Sequence, residues 1–304
     1  MRMQDFNFDI RDGILRKYGG FYPEVTVPEG VTCIAKNAFM KLLFLEKVTF
    51  PESLTEIKEE AFFGCKNLKE VIMPSSIEKI DREAFEGCSS LQKITLPEGL
   101  ETLEEGVFSY CKNLKQITLP ESLKSISRFV FYGCEKLEEL SFPYHLEYVN
   151  PNAFEYQKQK IKFSYRDIYF YSLCTRGRRH FVKTEPDYCI QLIRDKNFSV
   201  PIPFSQKLEI VLQLFQQNPK ESNLLHYLET DFTEEVKNLI FINEIDTLKK
   251  MIDFNLIQKN PVDALIRYAI DQKQFEIQVL LTNYKHEHFG FESIEEKTRN
   301  LLLD

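Results

Sequence analysis

Four cysteines, Cys65, Cys88, Cys111 and Cys134, recur with one fixed period, three of them directly after a glycine (Gly64, Gly87 and Gly133). Thiolates bind zinc and act as redox nucleophiles, so this row is the first place to look for chemistry. Zinc needs its ligands to converge on one point at about 2.3 Å, whereas one cysteine per structural unit spreads into a column. No histidine keeps the same spacing. The column therefore reads as small buried apolar residues and not as a metal or redox centre. His286-Glu287-His288 is the other candidate cluster, and alternate residues near a chain end read as a solvated tail. Sequences of the G-x-S-x-G, H-E-x-x-H and Walker types are absent, and Gly19-Gly20 lacks the remainder of a dinucleotide fingerprint. The expectation is a non-enzymatic chain with no catalytic residue, no metal and no cofactor.

A second cluster is basic. Residues 158–183 hold eight basic side chains against one acidic residue, Asp167. Within it Arg176, Arg178, Arg179, His180 and Lys183 lie among Tyr165, Tyr169, Phe170, Tyr171 and Phe181, a mixture that can contact phosphates and stack bases. The chain as a whole carries a net charge of −7, so the segment reads first as a docking linker that offsets an acidic neighbour. Nucleic-acid binding is the minor alternative.

The elements that position these residues follow from periodicity. Prolines stand at Pro28, Pro51, Pro74, Pro97, Pro120 and Pro143, evenly spaced with a 23-residue period, and phenylalanines keep the same interval at Phe39, Phe62, Phe85, Phe108, Phe131 and Phe154. Ala38, Ala61, Ala84 and Ala153, or Val107 and Val130, precede each phenylalanine, small enough to let the returning chain pack closely. Before each proline the pattern L-x-x-I-x-L, as in Leu114, Ile117 and Leu119, alternates as a short strand does when only one face is buried. A 23-residue unit cannot bury that face alone, so the units must stack and form apolar ladders through a common interior.

The motif C-x-x-L-x-x-I-x-L-P-x-x-L-x-x-I-x-x-x-A-F resembles the bacterial BspA-type leucine-rich repeat, with Leu42 replacing the cysteine in the first unit. The resemblance implies a right-handed leucine-rich-repeat β-solenoid; joined to the N-terminal hairpin cap and the α-helical domain read from local spacing, it makes the expected fold class α+β. It also implies a concave parallel sheet that serves as an interaction surface, and relatives that act as exported adhesins. Residues between the inward ladder positions then face that surface. Thr49, Ile72, Thr95, Thr118 and Ser141 make one column, and Lys47, Glu70, Lys93, Gln116 and Glu139 another. These ten residues are the candidate site for a protein partner that the sequence does not identify. The plainer alternative is a polar, solvated sheet face, and bulky aromatic anchors are missing from both columns.

The expected domains are a capping hairpin over 1–27, a six-repeat solenoid over 28–166, a basic aromatic linker over 167–185 and stacked helix pairs over 186–304. The hairpin rests on alternating Phe6, Phe8 and Ile10 before Asp12-Gly13. Helical spacing is read near 187–195, 204–217, 221–230, 233–242, 245–254, 261–271 and 274–284, with Pro219, Thr233, Asn260 and Pro261 as start signals. The segments around Pro261–Asp271 and Phe275–Leu281 faintly resemble an ankyrin-type helix pair, without that family's glycine and threonine marks. At 304 residues, 43% hydrophobic and 28% charged, the chain is neither disordered nor a disulfide miniprotein. It contains no run of about 18 apolar residues, and the start Met1-Arg2-Met3-Gln4-Asp5-Phe6 lacks the apolar stretch of an export signal. Seven cysteines without a C-x-x-C pair fit reduced thiols. The cytoplasm is the expected location, with the cell surface by another route as the alternative.

Overall fold

Asp12 and Gly13 both take positive φ, 52° and 74°, the backbone of a two-residue turn that reverses β1 (Phe8–Arg11) onto β2 (Ile14–Tyr18). This is the expected hairpin, and β2 also pairs in parallel with the first coil, so the cap is continuous with what it covers. The computed structural model describes residues 7–157, 160–172, 186–202 and 204–290.

Two kinds of short strand then alternate: β3 (Glu24–Thr26), β4 (Cys33–Ile34), β5 (Lys47–Thr49), β6 (Glu56–Ile57), β7 (Glu70–Ile72), β8 (Lys79–Ile80), β9 (Lys93–Thr95), β10 (Thr102–Leu103), β11 (Gln116–Thr118), β12 (Ser125–Ile126), β13 (Glu139–Ser141), β14 (Tyr148–Val149) and β15 (Ile161–Tyr165). Odd-numbered strands from β3 onward follow one side and pair in parallel in the groups β3–β5–β7, β9–β11 and β13–β15, as in Val25 with Val48 with Val71. Even-numbered strands follow another and pair in the groups β2–β4–β6–β8 and β10–β12–β14, as in Ile34 with Ile57 with Ile80. The result is a β-solenoid of about six turns over residues 14–164. After β15 the chain reverses into β16 (Ile168–Ser172), which pairs antiparallel and ends the parallel run.

A third ladder explains the alanine or valine before each phenylalanine. The Phe39 amide donates to the Ala61 carbonyl at 2.8 Å, Phe62 to Ala84 at 2.8 Å, Phe85 to Val107 at 3.0 Å, Phe108 to Val130 at 3.1 Å and Phe131 to Ala153 at 2.8 Å. The phenylalanine rings stack behind it, with successive centroids 4.7, 5.1, 5.9, 6.2 and 5.1 Å apart from Phe39 to Phe154. Tyr18 extends the stack 5.3 Å beyond Phe39, and Phe8 covers it at 5.0 Å, so the hairpin closes the apolar end. Charge fixes the register outside. Lys36 and Arg82 both pair with Glu59, Lys69 with Glu46, Lys124 with Glu101 and Arg128 with Glu105, each across one 23-residue interval. The exposed pairs contribute little to stability one by one, but a shifted register would bring like charges together.

The chain divides into two compact units, Met1–Pro203 and Phe204–Asp304. Helix α1 (Pro186–Asp195), expected to open the helical domain, instead belongs to the first unit and packs on β14, β15 and β16. Its inner face buries Cys189, Ile190, Leu192 and Ile193, and Arg194 donates to the Glu147 carbonyl at 2.6 Å.

The second unit contains α2 (Phe204–Gln217), α3 (Ser222–Glu229), α4 (Asp231–Phe241), α5 (Ile245–Asp253), α6 (Lys259–Asp271) and α7 (Phe275–Phe289). Lys207 of α2 donates to Glu235 of α4 at 2.8 Å, and the Tyr227 hydroxyl of α3 donates to the other oxygen of that carboxylate at 2.6 Å. Thr233 and Asn260 lie inside the first turns of α4 and α6 and cap neither helix; the cap positions are Thr230 and Gln258. The absence of marker glycines has a physical explanation. Asn243 and Lys273, at equivalent places in successive helix pairs, take the left-handed conformation at φ 58° and 59°. The same three hydrogen bonds close both turns, including Glu244 to Leu239 at 2.9 Å and Gln274 to Ala269 at 2.9 Å. A 30-residue helix-pair repeat is thus written in hydrogen bonds, with asparagine and lysine where glycine would be easiest.

Candidate functional site

Each odd-numbered strand of the solenoid holds its central residue inward and its flanking residues outward. Pairing is in register, so Lys47 meets Glu70, Thr49 meets Ile72, Lys93 meets Gln116 and Thr95 meets Thr118. Both expected columns face outward; Lys47 and Thr49 are half-buried, whereas Glu70, Ile72, Lys93, Thr95, Gln116, Thr118, Glu139 and Ser141 are exposed. The Lys47 and Glu70 charges lie 2.9 Å apart and neutralise one another.

Further positions join this surface beyond those read from the sequence. Glu24 and Thr26 extend the columns at one end, and Lys162 and Ser164 at the other, where the Ser164 hydroxyl donates to Ser141 at 2.8 Å. Antiparallel β16 then sets Tyr169 opposite Ser164 and Tyr171 opposite Lys162. Both tyrosines are exposed, and the Lys162 ammonium lies 4.4 Å from the Tyr169 ring centroid. A depression of about 670 Å³ runs along this end, lined among others by Gln116, Thr118, Ser141, Lys162 and Tyr169. A second, of about 710 Å³, lies over Glu70, Ile72, Lys93 and Thr95. Aromatic anchors are therefore present beside the columns. No signal in the 23-residue period marks them, because they follow its end.

The cysteine column is a line of hydrogen-bond donors. Cys65 reaches the Phe39 carbonyl at 2.9 Å, Cys88 that of Phe62 at 3.3 Å, Cys111 that of Phe85 at 3.3 Å and Cys134 that of Phe108 at 3.2 Å. All four are fully buried, and loss of hydration pushes their thiols upward, Cys65 to about 12 and Cys88 and Cys111 well above the ordinary range. These protonated donors have neither the exposure nor the thiolate character that reactive cysteines need. Among the described residues no three His, Cys, Asp or Glu side chains converge as metal ligands. His288 lies on α7, its Nδ1 3.1 Å from the Tyr284 carbonyl. Arg176, Arg178, Arg179 and Lys183 lie outside the described residues. No helix among the described residues is long and apolar enough to cross a membrane.

Parallel strands stacked one per repeat, with inward aliphatic and phenylalanine ladders, define a leucine-rich-repeat solenoid. Residues 25–162 match the model of the BspA type leucine rich repeat region, in six copies. Similar solved structures include the T. pallidum leucine rich repeat protein, 27% identical over 52% of this chain and 85% of that one, with a TM-score of 0.45. A leucine rich cell surface protein from Faecalibacterium prausnitzii A2-165 is 24% identical over 54% of this chain and 57% of its own, with a TM-score of 0.43. The pneumococcal vaccine antigen PcpA is 23% identical over 55% and 53%, with a TM-score of 0.44. No curated protein matches the chain.

Proposed function

We propose that the chain is a non-enzymatic interaction module that takes a protein partner on the outward face of its odd-numbered strands. The observation that carries this reading is the row of outward residues from Lys47 to Ser141, paired in register within β5–β7 and β9–β11, extended by Lys162 and Ser164 beside β13 and flanked by exposed Tyr169 and Tyr171. Small hydroxyls leave room for a partner backbone, and the tyrosines supply the rigid amphipathic contacts that dominate binding energy. The described cysteines are thiols and not disulfides, which supports a reducing, cytoplasmic location that subcellular fractionation tests.

The test is capture of the partner by the full chain and by the variant carrying Thr95→Arg and Thr118→Arg. Partner loss with unchanged melting temperature supports the assignment. Full retention of the partner by the folded variant overturns it.

A further inference from the structure

One coil of the solenoid lacks the side chains that its neighbours carry. At the position occupied by Glu60, Glu83 and Phe129 it has Gly106, and at the position of Phe63, Glu86, Tyr132 and Glu155 it has Ser109. The backbone does not demand this glycine: Glu60, Glu83 and Phe129 take the same left-handed φ, 55°, 57° and 60°, beside 66° at Gly106. A Cβ at Gly106 would stand 3.1 Å from the Glu83 side chain and 3.7 Å from Glu86 Oε2. The missing atoms leave a cavity of about 350 Å³. Its lining combines the carboxylates Glu83, Glu86, Glu105 and Glu155 with the rings of Tyr110, Phe129 and Tyr132. Ser109 is only 4% exposed, lines the cavity, and its hydroxyl has no hydrogen-bond partner among the described residues.

An aromatic ring face attracts a cation, and an edge-to-face cluster of three rings borders these carboxylates. Tyr110 and Tyr132 stand 5.2 Å apart at 76°, and Phe129 and Tyr132 5.6 Å apart at 82°. The rim already holds one such contact, since the Arg128 guanidinium pairs with Glu105 at 2.9 Å and lies 5.7 Å from the Phe129 centroid. Deeper in, Glu83 and Glu86 have no cation at ion-pair distance among the described residues. A cavity-lining hydroxyl that can accept a hydrogen bond, beside carboxylates and rings, selects an organic cation that still carries N–H groups.

We infer that the notch at Gly106 and Ser109 is a binding site for a primary alkylammonium, either a free diamine or a lysine side chain. The site stands apart from the proposed partner surface and does not depend on it. Burial, followed by the Glu83 and Glu60 charges, raises Glu86 to about 7, so binding should strengthen as Glu86 ionises. The other groups facing it are the Glu105 and Glu155 carboxylates, the Tyr110 and Tyr132 hydroxyls, and Arg82 and Arg128.

The experiment is calorimetric titration of the full chain with 1,5-diaminopentane, with N-acetyl-lysine methylamide and with tetramethylammonium. Both primary amines should bind and tetramethylammonium at least about tenfold more weakly. Tighter binding of the diamine assigns the site to free diamines, and equal or tighter binding of the lysine amide assigns it to a lysine side chain. Affinity should fall about tenfold between about pH 8 and about pH 6, and Glu86→Gln should flatten that dependence. Ser109→Phe, which copies Phe63 of an earlier coil, should abolish binding while the melting temperature holds. The inference is overturned if neither amine binds, if tetramethylammonium binds equally, if Ser109→Phe still binds, or if binding appears only after Arg128→Gln, which would give the notch to Arg128.

Discussion

Gln157 donates its amide to the Phe131 carbonyl at 2.5 Å, across the same 26-residue interval over which Cys134 reaches Phe108. It occupies the cysteine position of the last coil, and its own carbonyl oxygen is buried without a partner. Gln157→Cys keeps a donor for Phe131 and removes that oxygen. The substitution should stabilise the solenoid by about 1 kcal/mol, the cost of an unsatisfied polar atom less that of a small cavity. Chemical denaturation measures it, and a lower midpoint would refute it.

The buried thiols make the solenoid sensitive to alkali. Their folded values lie above the ordinary thiol value of 9.0, Cys65 at about 12 through burial, so the folded chain holds protons that the unfolded chain gives up. This contribution is complete below about pH 9 and is lost as pH rises toward the folded values. Denaturation midpoints should fall over that window, and Cys65→Ala should shrink the fall. Timed alkylation read by mass spectrometry should label half-buried Cys33 before Cys65, Cys88, Cys111 and Cys134.

Phe85→Ala removes a fully buried ring that stacks between Phe62 at 5.1 Å and Phe108 at 5.9 Å. The expected cost is about 3–5 kcal/mol. Coils touch only their neighbours, so amide hydrogen exchange should accelerate in the flanking coils and stay unchanged in α4–α7.

Glu235→Gln leaves the Lys207 ammonium, whose side chain is 9% exposed, without its counter-charge. The second unit should lose about 3–5 kcal/mol. A chain carrying Lys207→Met, Tyr227→Phe and Glu235→Leu should recover most of that loss, because no buried polar group is then orphaned. Thermal melts of the two variants decide it.

Lys273→Gly should stabilise the second unit by about 1 kcal/mol, since lysine is strained at φ 59° and glycine is not. Asn243→Gly, at φ 58°, should gain less because asparagine tolerates that conformation. Equal gains would contradict this account.

What could be read in the sequence was whatever repeats. The outward columns from Lys47 to Ser141 follow from the 23-residue spacing because each ladder position must lie beside its equivalent. Tyr169 was beyond reach because β16 turns antiparallel after the last repeat. Gln157 was hidden because the donor persists while the residue type changes. The notch is a property of absent side chains, which draw no attention in a scan for reactive ones. Helical spacing in α1 shows an apolar face but not that β14, β15 and β16 cover it.

The fixed 23-residue offset of every inter-coil pair has an evolutionary consequence. Unequal exchange between units, in register, lengthens or shortens the molecule while re-creating contacts it already has. Size is then a freely varying trait, and the outward face of the odd-numbered strands would scale with it. The Gly106 and Ser109 coil is different, since its notch exists once and a deletion that removed it would take a distinct recognition property with it. Selection for that property would show as one unit whose place in the array does not drift.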